Sequence, residues 1–232
     1  MINANAATIL SLLHLTDATL PIGGFSHSAG LETYVQLKLV NNKATATTFI
    51  TQMLSRNLLY TDAALVSLAF DAAEQNNLAE VLALDALCTA VKLPMEIRQA
   101  SQKLGNRLFQ IFCTSYTNDL STGFKNAITA NQIQGNYCIV FALLAHAMKI
   151  EKAQTLAGFY YNAASALVTN CVKLIPLGQQ HGQQILNALL PVIDQLVVQS
   201  MQPKIELIGM CCTGFDIRCM QHEQLYSRLY MS

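Results

Sequence analysis

Pro94-Met-Glu-Ile-Arg-Gln-Ala-Ser-Gln-Lys-Leu-Gly-Asn-Arg-Leu-Phe-Gln-Ile-Phe112 places Ile97, Ala100, Leu104, Leu108 and Ile111 three or four residues apart. Glu96, Arg98, Lys103 and Arg107 take positions between them. That period gathers apolar side chains on one face of an α-helix. Pro94 suits the first turn, where a backbone N–H has no helical partner to lose. The stretch therefore reads as an amphipathic helix with one face in a core.

The same period recurs along the chain. In 44–59 it runs through Phe49, Ile50, Met53, Leu54 and Leu58. Thr155–Ile175 is longer, with a stripe of Phe159, Tyr160, Ala163, Leu167, Cys171 and Leu174. Ala164, Ala166 and Val168 make it apolar nearly all round, as a central helix would be, and Pro176 ends it. Further helices are expected at about 4–15, 27–38, 62–75, 78–91, 119–130, 137–149, 179–199 and 215–229, with Pro191 kinking or splitting the 179–199 stretch. Breaks are short and polar, at Asn41-Asn42, Gln75-Asn76-Asn77, Gln134-Gly135-Asn136 and Pro176-Leu177-Gly178. Lys204–Met210 is the one candidate for an extended piece, and a single strand makes no sheet. The expectation is an all-α single domain over 1–232, a bundle of about ten helices, with a tail at about 200–232.

Composition narrows the function. Hydrophobic residues make up 52% of the 232 and charged residues 12%, against about one quarter charged in an average soluble domain. So few charges leave apolar area exposed on a lone subunit, and such patches mark partner surfaces. An oligomer or complex subunit is expected. The 14 basic and 14 acidic residues cancel, and no basic block offers a footprint for nucleic acid or anionic lipid. The N-terminus has no positive n-region, so no secretory signal is expected. The most apolar run, Ile139 to Met148, is too short to span a bilayer. A cytoplasmic protein fits, and its seven cysteines read as small buried hydrophobes.

Three segments carry more than helical pattern. Leu15-Thr-Asp-Ala-Thr-Leu-Pro-Ile-Gly-Gly-Phe-Ser-His-Ser-Ala-Gly-Leu-Glu32 joins two expected helices. Pro21 fixes one torsion, Gly23-Gly24 can take positive φ, and Ser26 or Ser28 can cap the next helix. A tight capped turn accounts for it. The rival reading, a phosphate cradle, lacks the Walker spacing and has no lysine after the glycines. Pro176-Leu-Gly-Gln-Gln-His-Gly-Gln-Gln184 is a polar corner, or a set of neutral hydrogen-bonding groups along a water-filled path or partner contact. In the tail, a helix would put His222, Leu225, Tyr226 and Leu229 on one face. Cys219-x-x-His222, with Cys211 and Cys212 nearby, is a weak candidate for a soft metal, since the spacing matches no zinc pattern and buried cysteine is commoner. No nucleophile, base and acid stand in a catalytic pattern. Ser26 and His27 are neighbours that do not face each other on a helix start, and no Gly-x-Ser-x-Gly elbow exists. No enzyme is expected.

Taken together, these motifs resemble the UreF family of urease accessory proteins. Leu20-Pro-Ile-Gly-Gly-Phe-Ser-His-Ser-Ala-Gly-Leu-Glu32 is similar to its N-terminal signature and Ile175-Pro-Leu-Gly-Gln-Gln-His-Gly-Gln183 to its late-central motif. Ser200-Met201 and His222-Glu-x-x-Leu-Tyr-Ser-Arg-Leu229 are similar to its C-terminal pattern, and Met95-Glu-x-Arg98 with Gly105 to a weaker central one. The chain departs from the family at its end, where Met231 replaces an arginine, and in 142–149, where Ala142 and Lys149 stand in a region that often holds glycine. The resemblance implies an all-α homodimer that binds UreD/UreH, recruits the GTPase UreG and engages apo-urease for nickel insertion. It implies no permanently bound cofactor and no catalytic residue. It points to the C-terminal region for partner contacts. That agrees with the expectation that a terminal helix is the least anchored, and that aromatics and arginine are enriched at hot spots. The partner-binding candidates are His222, Glu223, Leu225, Tyr226, Arg228, Leu229 and Tyr230. His27, Gln179, Gln180 and His181 are candidates for a nickel path or interface. The alternative is a metallochaperone that holds nickel itself through Cys219 and His222.

Overall fold

The computed structural model describes residues 4–210 and 212–232. They form α-helices and short helical turns, with no strand among them. The α-helices are α1 (Ala4–Leu15), α2 (Leu31–Gln36), α3 (Lys43–Gln52), α4 (Asp62–Glu74), α5 (Leu78–Val91), α6 (Met95–Phe112), α7 (Asp119–Thr129), α8 (Tyr137–Ala147), α9 (Lys152–Leu174), α10 (Gln179–Ser200) and α11 (Thr213–His222). The all-α bundle expected from periodicity is the fold. No helix among the described residues is long and apolar enough to cross a membrane.

The polar breaks work as caps. The Asn42 and Asn118 side chains each accept from the backbone N–H of the third helical residue, and that residue's hydroxyl returns the bond. Asn77 caps α5 through the N–H of Glu80. Each such cap contributes about 1 kcal/mol. The break before α8 is tied more firmly. Asp85, fully buried on α5, accepts from the backbone N–H groups of Gln134, Gly135 and Asn136 at 2.8, 3.2 and 2.6 Å. α6 passes so close to this loop that a Cβ on Gly105 would lie 2.1 Å from the Gly135 carbonyl oxygen. Only glycine permits that crossing.

The central helix is α8, where every residue from Cys138 to Ala145 is buried. It packs against α4 and α6, while α9 lies along α10 and against α4. The expectation of an all-round buried 155–175 helix is corrected here. Tyr161, Ala166 and Thr169 of α9 face outward, because alanine and tyrosine tolerate exposure and α9 sits beside the core rather than through it.

Local differences have physical causes. The expected 27–38 helix shrinks to α2, since Ala29 and Gly30 take left-handed φ of 53° and 76° and His27 is extended. A Cβ at Gly30 would come 2.6 Å from Cys219 Sγ, so α11 crosses over a residue without a side chain. The 44–59 helix is not uniform: α3 passes into a π turn at Met53–Asn57 and a 3-10 turn at Leu58–Tyr60. Pro191 neither splits nor ends α10. Residues 204–210 hold a 3-10 turn at Ile205–Leu207 instead of an extended piece.

Candidate docking site at the C-terminal strap

The last expected helix, 215–229, is corrected most. α11 stops at His222, and 223–232 runs as a non-helical strap back to the N-terminal signature. The cause is a set of polar partners offered by distant elements. Glu32 on α2 is only 5% exposed. Its carboxylate accepts from the backbone N–H of Leu229 at 2.7 Å and of Tyr230 at 3.2 Å. The Met231 N–H donates to the Ser26 carbonyl at 2.8 Å. The Ser232 carbonyl accepts from the backbone N–H of Ser28 at 2.6 Å and from its hydroxyl at 2.7 Å. His27 Nδ1 lies 2.8 Å from Ser232 Oγ, and Asn170 on α9 donates to the His27 carbonyl at 2.9 Å. Helical bonding cannot satisfy these strap groups and the buried carboxylate at once, so the extended course wins.

His222 is the centre of this anchor. It is fully buried, with Nε2 3.1 Å from Glu32 Oε2 and Nδ1 2.7 Å from Glu96 Oε2. Both contacts are donated hydrogen bonds only when the ring carries both protons. The Arg228 guanidinium meets the other oxygen of Glu96. Two carboxylates thus alternate with two basic groups, joining α2, α6, α11 and the strap. Arg98, in the same motif as Glu96, donates to the carbonyls of Lys92 and Leu93 and fixes the turn before α6.

Burial shapes the ionisable groups. Burial lowers the pKa of His27, helped by Lys103 and Arg107 and opposed by Glu96. Burial pushes the Cys219 thiol well up, with Asp216, Glu96 and Glu223 adding to it. Burial and the Glu32 carboxylate raise the Tyr230 phenol.

The structure gathers some expected residues and separates others. His27, His222, Arg228, Leu229 and Tyr230 meet in the anchor. The shared helical face of His222, Leu225, Tyr226 and Leu229 does not exist, because the helix ends before it would form. His222 and Tyr230 are buried, Glu223 and Leu225 half-buried, and Tyr226, Arg228, Leu229 and Met231 exposed. Gln179, Gln180 and His181 stand exposed on the first turn of α10. No hydrogen bond or ion pair among the described residues links them to His27. Cys219 lies against Gly30, and both nitrogens of His222 already face carboxylates. No group of three or more metal-binding side chains is assembled among the described residues. Cys211 lies outside the described residues.

Sequence motifs alone assign no role to Glu32 or Glu96. A partial signal exists, since each carboxylate falls in a motif quoted above, in a chain with only 14 acidic residues.

Known proteins are similar to this chain over nearly its whole length. The UreF family model matches residues 40–190. A urease accessory protein UreF of Actinobacillus pleuropneumoniae is 49% identical over 222 residues, covering 96% of this chain and 98% of the relative. One of Haemophilus influenzae (strain PittEE) is 47% identical over 231 residues, covering 100% of this chain and 98% of the relative. One of Bacillus sp. (strain TB-90) is 34% identical over 224 residues, covering 97% and 99%.

Proposed function

The chain belongs to the UreF family of urease accessory proteins, and from that premise we propose that it is a non-catalytic helical scaffold for nickel insertion into apo-urease. In this reading it works in the cytoplasm as a homodimer that binds UreD/UreH and recruits the GTPase UreG, whose turnover it regulates. Nickel is the cargo of the assembly, and no cofactor is resident in this subunit.

The observation that carries the reading is the strap. Tyr226 is fully exposed and Leu229 is 70% exposed, although the strap backbone is fixed at Leu229, Tyr230, Met231 and Ser232. An apolar side chain on an ordered backbone contributes contact area with little ordering cost when a partner arrives. Tyrosine and arginine are also enriched among residues that dominate binding energy. His222 then serves from behind, holding the strap's root.

The test is co-expression with UreD/UreH, UreG and apo-urease, followed by sizing of the complex. Wild-type chain is expected to co-elute with its partners. The pair Tyr226→Ala and Leu229→Ala is expected to weaken recovery at least about tenfold with unchanged circular dichroism. Wild-type recovery by the folded double variant would remove the strap from the interface.

A further inference from the structure

At the other end of α11 from the strap, a groove of about 590 Å³ opens between α2, α3 and the first turn of α11. Tyr34, Val40, Phe49, Met53 and Phe215 line it, and Val40, Phe49 and Met53 are buried among the core residues beneath. The π turn at Met53–Asn57 forms one lip. An inserted residue of this kind costs regular hydrogen bonding and often marks a functional position. Here it accompanies Arg56, the one charged side chain lining the groove among the described residues.

Arg56 differs from every other arginine of the chain. Arg98 donates to two carbonyls, Arg107 to the Ile22 carbonyl, Arg218 to Gln221 and Arg228 to Glu96. Arg56 alone has no hydrogen-bond or ion-pair partner among the described residues. Its planar donors match a carboxylate in a two-point contact. An apolar floor with one unpaired guanidinium at the lip defines its complement: apolar side chains, and one acid. The groove is open along one side, which suits a chain segment laid into it more than an enclosed small molecule.

We propose that this groove is a second docking site, for an amphipathic segment of a partner protein that lays apolar side chains on the floor and one carboxylate against Arg56. The inference rests on the scaffold reading above, and it places a contact away from the strap. A single arginine in a chain of zero net charge does not make a phosphate-backbone site.

Hydrogen–deuterium exchange tests it on the full chain, alone and in the assembly co-expressed with UreD/UreH, UreG and apo-urease. Peptides across 44–57 and 212–215 are expected to exchange several-fold more slowly in the assembly. Arg56→Glu, which sets like charge against the incoming acid, is expected to reduce recovery of the assembly about tenfold or more, and Arg56→Lys to lose less. Both variants should keep the wild-type circular dichroism, since Arg56 holds nothing among the described residues. Thr48→Trp, at an exposed lining position, should mimic Arg56→Glu by filling the groove. Unchanged exchange of those peptides in a complete assembly would overturn the proposal, as would wild-type recovery of Arg56→Glu. Slowed exchange in the lone chain on concentration would make the occupant a second copy and overturn the choice of partner. No assembly at all would defeat the scaffold reading and this inference with it, whereas an assembly with a bare groove defeats this inference alone.

Discussion

Glu32 has no lysine or arginine paired with it among the described residues. Its buried carboxylate is met by His222 and by two strap N–H groups, and bonds to a charged acceptor contribute about 1.5–3 kcal/mol each. Arg228, 39% exposed, is a different case, since solvent screens its pair with Glu96 and an exposed pair contributes about 1 kcal/mol or less. The strap therefore hangs on Glu32 more than on Arg228. Asp85 is the parallel in the core. Asp85→Ala leaves three backbone N–H groups without their acceptor, and a loss of roughly 3 kcal/mol or more is expected, read as a lower urea midpoint. A stability within about 1 kcal/mol of wild type would show that the 134–136 loop finds other acceptors. His27 supplies a pH dependence. Its pKa is lowered from the usual 6.5 by burial, so on acidification the unfolded chain takes the proton first. This contribution to stability is complete above 6.5 and is lost as pH falls through the lower, folded value. Ring proton shifts of His27 should titrate with a midpoint under 6.5, and His27→Gln should flatten that part of the stability curve. A midpoint above 6.5 would contradict the burial argument.

At the scale of elements, periodicity locates the helices and most of their ends. The 94–112 stretch forms α6 from Met95 to Phe112, because its stripe, its proline and its charged face all agree. What periodicity misses depends on partners far along the chain. Residues 223–229 continue a helical pattern, yet they leave the helix for Glu32, 197 positions from Leu229. No local window contains that carboxylate. The shortening of α2 is likewise set by α11, whose Cys219 occupies the space of a Gly30 side chain. The exposed Gln179, Gln180 and His181 stand out in sequence by composition only, and composition gives no position. The strap's dependence on Glu32 yields a prediction. Glu32→Gln keeps the shape and removes the charge, so the amides of Leu229, Tyr230 and Met231 should exchange at least about tenfold faster. Arg228→Ala should change them much less, and the helical content of either variant should match wild type. Equal effects from the two substitutions would show that the outer ion pair, not the buried carboxylate, holds the strap.

For the whole molecule, charge scarcity has a consequence that the fold makes concrete. With 12% charged residues, the bundle cannot cover its surface, and the uncovered apolar side chains fall on definite elements. Leu10 and Leu13 of α1 are 58% and 60% exposed, and Val198 of α10 is 71% exposed. Leu10 and Leu13 are one turn apart, so they form a stripe rather than scattered points. Neither belongs to the strap or to the groove beside Arg56. A zero net charge removes the long-range repulsion that would keep copies apart. The isolated chain is therefore expected to self-associate at micromolar concentration. Light scattering coupled to sizing should give a mass near twice 25.4 kDa. Leu10→Lys with Leu13→Lys should return it to one copy if α1 is the contact, with helicity preserved because both side chains point to solvent. Dimer mass in that double variant would move the contact to another face, with Val198→Lys as the next test. A clean monomer for the wild-type chain would mean that its apolar surface is reserved for other proteins alone, and the homodimer would have to be dropped from the scaffold.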